Sequence, residues 1–217
     1  MDLHKKLLQK GIEIESVADD VIASPDSIPQ LFELFYSKKG TIRFRCEKII
    51  RLISEERPEI IYPYFDKIAS LLESDNNILK WGAITIISNL ASVDAENKFE
   101  KIFNKYFTPI TKKQMITASN IVKNSWKIAM AKPSLVEKIS RELLKAEKTA
   151  YENKGEPSPE CNSIVYGNAI DSFSKFYGKI KNKKPVLDFI KRQVNNTRSA
   201  VSKRAEKFIQ KHNEEMI

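Results

Sequence analysis

Few residues in this 217-residue chain are of types that carry chemistry, and their spacing limits what they can do. His4 and His212 stand near opposite ends, and neither has a cysteine or a second histidine at zinc-ligand spacing. Cys46 and Cys161 make no disulfide framework and fit a reducing compartment. Cys161 is expected near the start of a helix, where the macrodipole lowers a thiol pKa, but no base adjoins it in sequence, so a quiet thiol is expected. The sequence has no Gly-rich phosphate loop, no G-x-S-x-G, no H-E-x-x-H and no EF-hand loop. No catalytic residue, metal ligand or cofactor is assigned, and a non-enzymatic role is the expectation.

Charge is the stronger signal. The net charge is +9, and residues 175–211 hold twelve Lys and Arg against Asp188 and Glu206. Residues 12–35 hold six acids and no base. A basic end attracts nucleic acid or acidic proteins, although a solvated terminal helix has the same composition. No run of eighteen apolar residues occurs, and the first sixteen residues lack a continuous apolar segment, so a cytoplasmic protein without a membrane span is expected.

The elements that would position these residues are helices. Apolar residues recur at helical spacing, predicting helices at 2–10, 13–23, 27–37, 41–55, 58–73, 76–91, 95–107, 112–131, 134–148, 160–178, 183–194 and 197–213. Pro58 and Pro159 suit a first helical turn, and Gly40 is expected to end one helix before Thr41 caps the next. The phrases CEKII at 46–50 and AEKFI at 205–209 show that something repeats. Every second helix aligns on a small residue, Cys46, Ala83, Ala118, Ala169 and Ala205, at intervals of 37, 35, 51 and 36 residues. The long interval holds a polar insertion at about 148–162, expected to be a surface loop or flexible linker, with Tyr151 as a candidate exposed anchor.

A pair of helices cannot bury its apolar face alone and must stack on its neighbours. At this point the chain resembles a HEAT-repeat protein, most clearly in RPEIIYPYFDKIASLLESDNNILKWGAITIISNLASVD at 57–94. The resemblance implies an all-α superhelix, a HEAT-type solenoid of about five helix pairs over 25–217 in a single domain, with residues 1–24 as an N-terminal capping pair. A compact helix bundle is the alternative architecture.

In such solenoids the second helices line a concave face. Positions one before, two after and six after each small residue are expected to point there. The candidate binding ridge is Arg45, Lys48, Asn89, Asn120, Asn124, Lys127, Asn168, Arg204, Lys207 and Lys211. Asparagine amides both donate and accept, which suits an extended peptide, and the basic ends suit an acidic one. The same ridge is also what inert solvated surface looks like. The functional expectation is a non-enzymatic module that binds a protein or peptide partner. The alternative is a nucleic-acid-binding protein similar to HEAT-like alkylpurine DNA glycosylases, which line a cleft with tryptophans beside a catalytic aspartate. Neither Trp81 nor Trp126 has an aspartate within one turn, and both are expected to pack in the core or between helix layers.

Overall fold

The computed structural model describes residues 2–37 and 40–212. The fold is all-α, and the only named strands among the described residues form a two-residue hairpin pair. Two compact units divide the chain, Met1–Lys101 and Ile102–Ile217.

The first unit holds α1 (Leu3–Leu8), α2 (Ile14–Ala23), α3 (Ile28–Ser37), α4 (Thr41–Glu56), α5 (Pro58–Ile61), α6 (Phe65–Ser70) and α7 (Asn77–Leu90). Gly40 is itself the N-cap of α4, with φ 61°, and Thr41 is already helical, so the predicted Thr41 cap is corrected. The helix predicted over 58–73 is broken into α5, a 3-10 turn and α6. Pro63 within that turn has no N–H to donate, which accounts for the break. Asn76 caps α7 by accepting from Ile78 N at 3.0 Å and Leu79 N at 3.3 Å. Helices α1 and α2 both lie against α4.

Helix α8 (Lys98–Phe107) contains the point of division. The second unit continues with α9 (Met115–Ala131), α10 (Val136–Leu144), α11 (Pro159–Phe176), α12 (Lys184–Gln193) and α13 (Ser199–Lys211). Ser158 caps α11, and Pro159 opens it as the sequence predicts. The predicted end of the last helix at 213 lies outside the described residues.

The aligned small residues Cys46, Ala83, Ala118, Ala169 and Ala205 are all fully buried. The residues three and four places after them are buried as well, apart from half-buried Ile209. Each buried isoleucine or phenylalanine contributes roughly 1.5–3 kcal/mol. Second helices run side by side and parallel within each unit. In the first, Glu47 of α4 lies against Gly82 of α7 and Ser54 bonds Asn89, both at an offset of 35 residues. In the second, Ser119 of α9 bonds Asn168 of α11 and Trp126 meets Lys175, both at an offset of 49. Relative to the small residue, these are the same contacts: positions +1 and +8 of one helix meet −1 and +6 of the next. The same packing solution is used twice.

The extra length in the second offset is the 148–162 insertion, which is not a loose loop. Strands β1 (Glu152–Asn153) and β2 (Glu156–Pro157) pair antiparallel through Lys154 and Gly155, both at positive φ. Tyr151 is fully buried and donates its hydroxyl to Ile110 O at 2.7 Å. Glu152 N donates to Lys113 O at 3.0 Å. The expected linker is therefore a docked hairpin, and the candidate exposed anchor is a buried one.

Candidate functional site

The repeated contact redefines the ridge. Positions −1 and +6 face the preceding second helix, so several residues expected on display are lateral packing groups. Asn89 is buried and donates to Ser54 Oγ at 2.9 Å. Asn124 is buried and donates to Asn120 O at 2.9 Å, and Asn120 in turn donates to Ile116 O at 2.9 Å. Asn168 is half-buried and donates to Ser119 Oγ. These amides close side-chain bonds on their own or a neighbouring helix, which is how asparagine is tolerated mid-helix.

The first-unit cations are also engaged. Arg45 reaches back to the end of α1, donating to Leu7 O at 2.5 Å and Gln9 O at 2.9 Å. Lys48 pairs with Glu15 of α2 at 2.8 Å, and this hydrogen bond helps hold the Glu15 carboxyl below its usual range. The Glu47 side chain fills the space where a Gly82 Cβ would stand, so α4 and α7 pack closely here. Burial pushes the Glu47 pKa up, and Arg51 at 3.3 Å opposes that shift. Burial also pushes the Cys46 thiol up to about 12, in keeping with an inert core thiol.

The second unit presents a different surface. On α9 the outward stripe is Ile116, Asn120, Lys123, Lys127 and Met130, at the 3.6-residue period. Ile116 is 48% exposed and Met130 43% exposed. Trp126 is half-buried beside this stripe, between α9 and α11 and not in the core, and Lys175 Nζ of α11 lies 3.9 Å from the ring centroid. Trp81 is likewise half-buried. Across the same ridge Arg204 of α13 pairs with Asp171 of α11 at 2.8 Å and packs over Gly167. Lys203, Lys207 and Lys211 are exposed on α13. The Asp171 carboxylate is thus neutralised, and lysines stand on three consecutive second helices.

Sequence reasoning placed Lys127, Arg204, Lys207 and Lys211 on this face and missed Ile116, Lys123 and Met130. Those three lie on the stripe through Asn120 and Lys127, three or four residues apart. An alignment centred between positions −2 and +5, instead of −1 and +6, finds them. Comparison with protein families, with characterised proteins and with solved structures returns no match.

Proposed function

We propose that the chain is a non-enzymatic, HEAT-type array of helix pairs that binds an acidic protein segment on the α9–α11–α13 face. The repeated +1/−1 and +8/+6 contacts support the array. The observation that carries the binding reading is the α9 stripe, in which exposed Ile116 and Met130 bracket Lys123 and Lys127. Aliphatic side chains at both ends of a basic stripe suit a peptide that alternates carboxylates with apolar residues. They add little for a phosphate backbone. Nothing in this reading involves a membrane, and no described helix is long and apolar enough to cross one.

Nucleic acid is the second reading, favoured by lysines on three successive helices beside a half-exposed indole. A glycosylase cleft fits less well. A developing sugar cation needs a carboxylate beside the tryptophan, and Trp126 lies under a lysine.

Affinity capture of the tagged chain from its own lysate, with and without nuclease, tests the choice. The expected result is a discrete protein partner that survives nuclease and is lost from a Lys127→Glu/Lys175→Glu chain. Enrichment that disappears with nuclease, together with DNA or RNA affinity falling steeply with salt, overturns the proposal in favour of the second reading.

A further inference from the structure

The register of α9, α11 and α13 limits how an acidic segment can lie on the basic face. Ser119 meets Asn168 and Trp126 meets Lys175, so each α9 residue is level with the one 49 later on α11. From α11 to α13, Gly167 lies against Val201 and Arg204, and Tyr177, just past α11, meets Phe208 and His212. These two helices therefore also run parallel, with Lys175 level with the turn between Lys207 and Lys211. On that register Lys127, Lys175, Lys207 and Lys211 fall within about one helical turn of a common level. The cations thus form a row that crosses the three helices, one step per helix.

The dimensions of this row select the shape of its occupant. Packed helices stand about 8–10 Å apart, so a ligand needs anions at that spacing on one of its faces. The row is bounded on one side by the Asp171–Arg204 ion pair at 2.8 Å, and on the other by the end of α11 at Phe176. Between them lies about 8 Å of helix, narrower than an α-helix with its side chains at about 10–12 Å. A β-strand repeats its face every second residue and would put same-face anions about 7 or 13 Å apart. A polyproline II helix has about three residues per turn at about 3.1 Å each, so every third residue returns to one face after about 9 Å. Only the last spacing matches. Half-buried Trp126 and exposed Met130 add apolar surface of the kind on which such helices dock.

We infer that the acidic segment crosses α9, α11 and α13 as a polyproline II helix with a carboxylate at every third position. This rests on the proposed reading of the face as a site for an acidic protein segment. Two carboxylates meet Lys127 and Lys175, and a third lies at the rim beside Lys207 and Lys211. The Arg204 guanidinium takes no part, because Asp171 already holds it.

The test is fluorescence anisotropy of the full chain with three labelled peptides of one composition, EPPEPPE, PEPEPEP and PPEEEPP, and with an oligothymidylate. Proline favours the polyproline II form in all three, but only EPPEPPE sets its carboxylates on one face. EPPEPPE is expected to bind about five-fold or more tighter than either isomer at low salt. Lys175→Gln is expected to remove most of that advantage, and so is Lys127→Gln. Equal affinities, or an advantage that both variants retain, overturn the spacing and leave the acidic-segment reading standing. Failure of all three peptides to bind overturns both, and binding of the oligothymidylate in their place favours the nucleic-acid reading.

Discussion

Gly82 and Glu47 show how single residues set the spacing between helices. A methyl group at Gly82 would overlap the Glu47 carboxylate, which is itself buried between α4 and α7. Gly82→Ala is expected to destabilise the fold by about 1–3 kcal/mol in urea denaturation, and most of that loss should vanish in a Glu47→Ala background. The carboxyl also carries a pH dependence. Burial raises its folded pKa, so folding favours the protonated form. The stability it contributes is present below the ordinary glutamate value and is lost as the pH rises through the raised one. Glu47→Gln should therefore flatten the decline in stability above the ordinary glutamate pKa and exceed wild type at neutral pH. Midpoints measured across that range decide the matter, since a Gln variant weaker at pH 7 would mean that the Arg51 pair outweighs burial. Close packing is one reading a Gly-Ala dipeptide in a helix permits, but the identity of the partner was not legible, because that side chain comes from 35 residues earlier.

At the scale of elements, local signals were read well where they were local. Pro58 and Pro159 marked helix starts because their effect on the backbone is confined to one turn. The insertion was misread because its structure comes from a distant partner. Lys154-Gly155 supplies the turn, but the segment is held by Tyr151, whose hydroxyl bonds a carbonyl 41 residues earlier. Tyr151→Phe removes that bond and leaves the Ile110 carbonyl buried without it, for an expected loss of about 1–3 kcal/mol. Tyr151→Ala empties the site and should cost about 3–5 kcal/mol. Hydrogen exchange should show the Glu152 amide losing protection first, because its bond to Lys113 O depends on the docked hairpin. Equal protection in wild type and both variants would mean that the Gln114–Glu152 bridge holds the segment without the tyrosine.

Across the whole chain, the buried side of each aligned helix was legible, and the face turned away from it was only half so. Hydrophobic period fixes which side of a helix is buried, but not which flank meets a neighbouring second helix. Asn89 and Asn124 were therefore assigned outward by a margin of one residue. The charge asymmetry survives that error, because exposed lysines such as Lys207 and Lys211 remain exposed on any register near the observed one. It also makes the proposed function separable by kinetics. Exposed charges at a rim speed encounter, whereas apolar groups and close cation contacts slow departure. For an acidic peptide partner, Lys207→Glu/Lys211→Glu should lower the association rate several-fold and reduce its salt dependence, with dissociation little changed. Ile116→Ser/Met130→Ser should leave association alone and speed dissociation, at about 1 kcal/mol or roughly five-fold for each anchor. Surface plasmon resonance at two salt concentrations separates the two effects. An oligonucleotide ligand would give a different pattern: each lysine lost would reduce the slope of affinity against salt by about one, and the aliphatic variants would change nothing.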